Sequence, residues 1–332
     1  MSGSTRRGFL ASASLPAALA LAQNRGADVP KRPLGRTGLQ TSILGVGGYH
    51  LGSAADESTA RRIVDEALDA GVNFFDNCWE YHEGRSEEWL GAALEGKRDR
   101  AIVMTKVCTH GRGRQKAMEM LEQSLRRLRT DHLDVLQIHE VVYQNDPDLI
   151  FAPGGAIEAL ADAKKQGKAR FVGFTGHKDP SIHLKMLSHD FPFDCVQMPL
   201  NCFDATFRSF EQRVLPELNR RGIAPLGMKS LGGSGEMVRH GGATAEEGLR
   251  YAMSLPVAVT ISGLESPEVL QQNLAVARGF QPLTAAAMKA LRDRCRAEAG
   301  DGRYELFKTT KKYDGDEGRR MHDFPTVAEL PA

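Results

Sequence analysis

Four residues with side chains that can donate or accept a proton lie at the ends of apolar runs or shortly after them. Asp76 ends the run NFFD and Tyr81 follows it by five positions, while Lys106 lies near the end of AIVMTKV and His139 follows LDVLQI. An ammonium beside a phenol favours the ionised phenol and lowers its pKa, which makes the phenol a better acid. A carboxylate would keep that ammonium charged and oriented. Together these side chains could protonate an oxygen on which negative charge develops.

The apolar runs belong to a regular alternation along the chain. Candidate strands cover residues 43–47, 73–76, 101–107, 133–138, 170–174, 195–199, 223–228 and 257–263, with segments of helical periodicity between them. Eight such repeats predict an α/β protein with a closed (β/α)₈ TIM barrel. A Rossmann fold is not predicted, because LGVGGYHLG lacks GxGxxG. Functional residues of barrels lie at the carboxyl ends of strands, so the four side chains should meet in one mouth.

Charge and hydropathy limit the partners of the chain. Its 332 residues include 43 Lys and Arg against 42 Asp and Glu, a formal charge of +1. This balance predicts no nucleic-acid partner and no attraction to an anionic membrane. No segment reaches the roughly 18 apolar residues of a membrane span, so no stable membrane insertion is predicted. The expected partner is a small molecule.

The first residues differ from the rest and predict export. Arg6 and Arg7 precede GFL, a mildly apolar stretch and the small residues around Ala20–Ala22. This layout is typical of a twin-arginine signal peptide, here residues 1–22, which the twin-arginine export machinery would read on a folded protein. A disordered basic N-terminus is the alternative. We expect a periplasmic or otherwise exported protein.

The predicted domain organisation follows from the signal and the barrel. Residues 23–30 form a linker, residues 31–283 the barrel, and residues 284–332 a C-terminal helix and tail that pack on it, with the part from Gly302 onward over the barrel mouth. Five cysteines, Cys78, Cys108, Cys195, Cys202 and Cys295, include no CxxC pair. They are interpreted as buried small side chains without disulfides, and no metal site is predicted.

Several segments carry a resemblance to a known family. RPLGRTGLQTSILGVGG, GVNFFDNCWEY, IVMTK, LDVLQIH and GKARFVGFTGH resemble, in order and spacing, those of the aldo-keto reductases, from about Lys31 to Arg278. The resemblance implies a barrel with an N-terminal β-hairpin and a nicotinamide cofactor across the strand ends. It also implies that Asp76, Tyr81, Lys106 and His139 are the catalytic tetrad. Tyr81 would be the general acid or base for hydride transfer between a carbonyl and an alcohol.

The resemblance further implies a set of cofactor contacts. These are Gly48, Tyr49, Asp76, Thr175, Gln197, Lys229, Ser230, Leu231, Gly232, Gly263 and Asn273. Thr175 can replace a serine of the family, whereas Gly176 offers no side chain where the family has asparagine. Lys229 and the glycine amides after it suit a pyrophosphate. Glu265 and Val269 stand where cations would bind a 2′-phosphate, so NAD is favoured over NADP unless Arg278 substitutes. Export implies that the cofactor is held tightly.

The substrate is expected to be a carbonyl compound or alcohol, with a sugar-like molecule favoured by the polar and aromatic loops. The predicted substrate contacts are Tyr49, Trp79, His110 and His139, beside the loop of residues 140–153. Two other functions stay open. Lys106 could form a Schiff base, as in aldolases, or the barrel could bind cofactor without catalysis, as a sensor or partner subunit.

Overall fold

A computed structural model of the chain describes residues 28–109, 112–314, 320 and 325–329. The predicted signal peptide and His110 therefore lie outside the described residues. Strands β1 (Lys31–Pro33) and β2 (Gln40–Ser42) form an antiparallel hairpin. The hairpin precedes a closed barrel of eight parallel strands.

The barrel strands follow one another in chain order around the barrel, and the last pairs with the first. They are β3 (Leu44–Gly47), β4 (Phe74–Asp76), β5 (Ile102–Cys108), β6 (Leu133–Val141), β7 (Ala169–Gly176), β8 (Cys195–Pro199), β9 (Ala224–Met228) and β10 (Val259–Gly263). All eight predicted strands are present. The predicted (β/α)₈ TIM barrel with an N-terminal hairpin is confirmed.

Helices lie between the barrel strands and after the last of them. They are α1 (Gly48–Leu51), α2 (Glu57–Asp69), α3 (Arg85–Ala93), α4 (Arg114–Arg127), α5 (Asp146–Phe151), α6 (Ala156–Lys165), α7 (Pro180–Ser188), α8 (Phe210–Arg213), α9 (Leu215–Arg221), α10 (Glu236–Arg239), α11 (Ala245–Ser254), α12 (Pro267–Arg278), α13 (Ala285–Ala299) and α14 (Leu306–Thr309). Local sequence sets several starts: Asp56 accepts a hydrogen bond from the Thr59 amide before α2, and Thr244 forms a capping box with Glu247 before α11. Among the described residues, no helix is both long and apolar enough to cross a membrane.

Side chains of the strands alternate between two apolar clusters. Ile102 and Met104 of β5 pack inside the barrel with Phe74, whereas Val103 and Val107 pack in the outer cluster against the helices. The period of two continues along β5 and places Lys106 on the inner face, above this apolar floor. The floor excludes water from below, and Lys106 lies above it near the carboxyl end of β5.

The segment after α13 is anchored by a buried lysine. Lys308 Nζ donates hydrogen bonds to Asp204 Oδ1 at 2.6 Å, to Glu305 Oε2 at 3.0 Å and to Phe207 O at 2.7 Å. The Lys308 side chain is 0% exposed. Further along, Lys178 Nζ, beyond β7, donates to Thr310 O at 2.5 Å. These contacts hold the C-terminal segment against loops at the carboxyl ends of the strands.

Candidate active site

Lys106 is the centre of a hydrogen-bond network at the barrel mouth. Its Nζ donates to Asp76 Oδ1 at 2.5 Å, to Asn77 O at 2.7 Å and to Tyr81 OH at 3.3 Å. Lys106 is 1% exposed and Asp76 is 5% exposed. The structure thus brings three of the four predicted catalytic side chains into direct contact, on β4, on β5 and on the loop between β4 and α3.

A tight turn directly after Tyr81 positions its ring. His82 and Glu83 have φ values of 51° and 59°, and Gly84 follows at 95°. The φ of Gly84 is one that side chains with a Cβ rarely adopt, so glycine is favoured there. The turn leaves the Tyr81 ring edge-on to the rings of Tyr49 and His139, with centroids 5.5 Å and 6.1 Å away.

His139, the fourth predicted residue, lies on β6 and completes the group. Its Nδ1 is 2.9 Å from Glu80 Oε1. Burial disfavours the charged imidazole, but the negative charges of Cys78 and Glu80 outweigh it and raise the pKa of His139 well above its ordinary value. In this environment His139 is a hydrogen-bond donor beside the phenol.

The expectation that Lys106 lowers the pKa of Tyr81 is wrong for this site. Burial, and then the negative charge of Asp76, raise the pKa of Tyr81 well above its ordinary value. Asp76 lies 2.5 Å from Lys106 Nζ, so its charge offsets that of the ammonium at the phenol. Tyr81 therefore keeps its proton at neutral pH, in the form that can donate it.

Two thiols lie next to His139 and were not foreseen as site residues. Cys78 Sγ and Cys108 Sγ are 3.4 Å apart, and they lie 3.5 Å and 3.6 Å from His139 Nδ1. Burial opposes ionisation of Cys78, but its hydrogen bond with Cys108 and the charge of His139 lower the pKa of Cys78 to about 7. All five cysteines are free and buried, as predicted. The sequence signal for this pair was its position: each cysteine stands two residues beyond Asp76 or Lys106.

Thr175 and Gln197 lie side by side, and each has a buried polar atom that forms no hydrogen bond within the described residues. They are register partners on β7 and β8, and each is 1% exposed. Thr175 Oγ1 and Gln197 Oε1 are buried and have no hydrogen-bond partner within the described part of the chain. Buried polar atoms without partners are costly, so a ligand with amide groups would satisfy them. These residues therefore fit a nicotinamide carboxamide.

The other predicted cofactor contacts surround the same mouth. Gly48 and Tyr49 begin α1 directly after β3, and a Cβ at Gly48 would lie 2.4 Å from Asp76 O. Gly263 ends β10, and Asn273 Nδ2 donates to Ser262 Oγ at 3.0 Å. Tyr49 is 55% exposed at the rim, where it is available to a ligand.

The predicted pyrophosphate loop follows β9 and is covered by the C-terminal segment. This loop contains Lys229, Ser230, Leu231 and Gly232. Lys229 Nζ lies 5.5 Å from the centre of the Phe307 ring and 5.4 Å from that of Tyr313, and burial lowers the pKa of Lys229. Glu265 is exposed and Val269 half-buried near the start of α12.

The side chain of Trp79, a predicted substrate contact, packs against a helix of the outer layer. Its Nε1 donates to Gln123 Oε1 at 2.9 Å, and the Arg127 guanidinium lies 5.1 Å from its ring. Both partners belong to α4, in the outer helix layer, and Trp79 is 7% exposed. The structure thus gives Trp79 packing contacts with α4, and its contact with substrate stays a prediction. The helix partners of an aromatic side chain cannot be inferred from its own segment.

Comparison with known proteins identifies the family of this chain. The model of the aldo/keto reductase family matches residues 43–237, which include the tetrad residues, Thr175 and Gln197. The chain belongs to the aldo/keto reductase family. Among curated relatives, this aldo-keto reductase is 29% identical over 194 residues to aldo-keto reductase YhdN of Bacillus subtilis, a match that covers 54% of the chain and 55% of the relative.

A dehydrogenase and a solved aldo-keto reductase structure are also similar to this chain. L-galactose dehydrogenase of Arabidopsis thaliana is 35% identical over 155 residues, 44% of this chain and 48% of the relative. Matches to these two curated relatives thus span about half of their lengths. The holo form of aldo-keto reductase AKR11C1 from Bacillus halodurans aligns with a TM-score of 0.68 at 25% identity, covering 81% of this chain and 97% of that one.

Proposed function

We propose that this aldo-keto reductase is an NAD(P)-dependent oxidoreductase that interconverts a carbonyl compound and an alcohol. The observation that carries the proposal is the contact of Lys106 Nζ with both Asp76 and Tyr81, beside the ring of His139. The family match and the fit of Thr175 and Gln197 to a carboxamide support it. Comparison of cofactor oxidation with and without a panel of aldehydes and ketones tests it.

Each side chain has a distinct role in this proposal. The nicotinamide supplies a hydride when it is bound. Tyr81 gives its proton to the oxygen of the substrate, on which negative charge grows, and takes it back in the reverse direction. Lys106, held by Asp76, stabilises the phenolate left behind, and His139 donates a hydrogen bond to the same oxygen. The apolar floor below these groups keeps water out and strengthens each of these interactions.

A sugar-like substrate fits the rim better than an apolar one. Tyr49, His82 and Glu83 are polar or aromatic and lie at the opening beside Tyr81, where hydroxyl groups could be bound. A relative is named for its action on L-galactose, which agrees with this substrate class. We therefore propose a sugar aldehyde, a ketose or the corresponding alcohol as the substrate.

We expect kcat/KM to favour NADH over NADPH. Glu265 is exposed near the start of α12 and Val269 lies on its first turn, so no cation is present at either position to pair with a 2′-phosphate. Steady-state rates with each nucleotide measure this ratio. Glu265→Lys should shift it toward NADPH by about tenfold or more, because it replaces a repelling charge with an attracting one. Glu268→Lys, an exposed change three residues further on at the start of α12, is the control, and an NADPH preference in the parent protein would contradict the assignment.

We also propose that the nucleotide is held tightly, in line with the export that residues 1–22 predict. Free nicotinamide nucleotides are made in the cytoplasm, so an exported reductase would carry its own. The rings of Phe307 and Tyr313 over Lys229 support retention, because they cover the loop expected to bind the pyrophosphate. Denaturing dialysed protein should release a nucleotide that mass spectrometry identifies. Protein free of nucleotide after dialysis, with a Kd in the micromolar range or weaker, would contradict tight binding.

The two other functions give different results. A Schiff-base aldolase would form a covalent adduct at Lys106 that borohydride traps, but Lys106 Nζ already donates hydrogen bonds to Asp76 Oδ1 at 2.5 Å and to Asn77 O at 2.7 Å. A sensor or partner subunit would bind nucleotide without turning over any carbonyl compound.

A further inference from the structure

A group of four donor atoms lies next to the proposed catalytic side chains. The donor cluster consists of Cys78 Sγ, Glu80 Oε1, Cys108 Sγ and His139 Nδ1, which all lie within 4.8 Å of one another. The register of β5 and β6 pairs Cys108 with His139, and the loop after β4 brings Cys78 and Glu80 to them. Both thiols are 0% exposed. The carboxylate is the most accessible member.

The spacing of these atoms approaches that of ligands around one metal ion. With bonds of about 2.3 Å to sulfur and about 2.0–2.1 Å to nitrogen and oxygen, the edges of a tetrahedral zinc site are roughly 3.4–3.8 Å. The two sulfur atoms are 3.4 Å apart, and each lies 3.5–3.6 Å from His139 Nδ1. Glu80 Oε1 lies 2.9 Å from the same nitrogen and would move outward by about 0.5 Å. The two thiols and the imidazole thus have nearly the spacing of tetrahedral ligands, and a carboxylate oxygen of Glu80 lies within 4.8 Å of each of them.

We propose that Cys78, Cys108, His139 and Glu80 bind a divalent transition-metal ion of the zinc class. Two thiolates and an imidazole are soft or borderline ligands, which select zinc over magnesium or calcium. Four protein ligands close the shell, so the ion would hold the site together and would leave no open position for substrate. The two thiolates and the carboxylate carry three negative charges, and the ion would compensate most of that charge in this buried place.

Metal binding would fix the protonation state and the tautomer of His139. Coordination through Nδ1 requires a neutral imidazole whose proton is on Nε2, at the opposite edge of the ring and 4.0 Å from Glu140 Oε2. His139 would then be a fixed donor, with its tautomer set by the ion. The binding site stands on geometry alone, whereas this consequence rests on the proposed role of His139 in carbonyl reduction.

Metal analysis of the full chain tests the site. The protein is produced without a polyhistidine tag in zinc-supplemented medium, dialysed and measured by inductively coupled plasma mass spectrometry. We expect a stoichiometric amount of zinc in the parent protein and a loss of about tenfold or more in Cys78→Ser and Cys108→Ser. Cys195→Ser is the matched control, since Cys195 is also buried but packs inside the barrel away from the cluster. It should keep the metal.

A second measurement covers the case in which a serine variant fails to fold. Cobalt added to the metal-free parent protein should give the visible bands of tetrahedral Co²⁺ and thiolate-to-metal charge transfer. Absence of zinc together with absence of these bands would overturn the proposal, as would equal metal loss in Cys195→Ser. A Cys78–Cys108 disulfide in the protein as isolated would also overturn it.

The readouts separate this inference from the proposed function. Tyr81→Phe should keep its metal, because Tyr81 is not a ligand. Carbonyl reduction by a metal-free protein with no cobalt spectrum would overturn only the metal site. Stoichiometric metal in a protein that binds nucleotide but reduces no carbonyl compound would support the metal site and contradict the proposed function.

Discussion

Tyr81→Phe is expected to reduce kcat/KM for carbonyl reduction by about 10²–10⁴-fold, the usual contribution of a positioned general acid. The phenol is the protonated group in contact with Lys106, and phenylalanine keeps the ring while removing the proton. The Kd of the nucleotide should change little, because Thr175, Gln197 and the β9 loop are untouched. Stopped-flow rates and fluorescence titration of the nucleotide measure the two effects separately.

Tyr251→Phe provides a control for loss of a buried hydroxyl. Tyr251 OH donates to Glu211 Oε2 at 2.7 Å on the outer side of the barrel, so its removal should affect stability and leave the chemical step intact. Activity of Tyr81→Phe within about tenfold of the parent would remove Tyr81 from the role of proton donor.

Lys308→Met is expected to lower the free energy of unfolding by about 3–5 kcal/mol, as when one partner of a buried ion pair is removed. The substitution leaves the carboxylates of Asp204 and Glu305 buried without their cation. Urea unfolding followed by circular dichroism measures the loss. Lys311→Met, an exposed change in the same segment, should stay within about 0.5 kcal/mol of the parent.

The loss in Lys308→Met should depend on pH. Burial, partly offset by Lys308, raises the pKa of Glu305 to about 7, so this carboxyl group can take up a proton when its cation is gone. The destabilisation should therefore be smaller at pH 5 than at pH 8. A loss below about 1 kcal/mol at both pH values would show that the C-terminal segment does not depend on this ion pair for its attachment.

Much of the fold could be predicted from the sequence because each strand is a short apolar run. The run LDVLQI predicted a strand over residues 133–138, and the structure extends it to Val141, so that His139 is part of β6. Polar residues at a strand end interrupt the apolar pattern without ending the backbone pairing. The barrel closure followed from the number of repeats.

The approach of Asp76, Tyr81, Lys106 and His139 to one another could be predicted because they lie at or just beyond the ends of successive strands, whereas other contacts of the site could not. Pairing of Cys108 with His139 depends on strand register, and the approach of Glu80 depends on the turn after Tyr81. The pKa of Tyr81 also depends on three-dimensional structure, because burial and then the charge of Asp76 raise it. Residue types alone identify the side chains of the site. The pKa of each side chain depends on burial and on distances to neighbouring charges, which the sequence does not give.

Transfer of deuterium from the nucleotide to a substrate tests directly whether this chain reduces carbonyl compounds. The full chain is incubated with NADH or NADPH deuterated at both C4 positions and with a panel of sugar aldehydes, ketoses and simple aldehydes, and the alcohols are analysed by mass spectrometry. We expect deuterium on the carbinol carbon of the product with the parent protein and almost none with Tyr81→Phe. Bound nucleotide without deuterium in any product would show that this chain does not reduce carbonyl compounds.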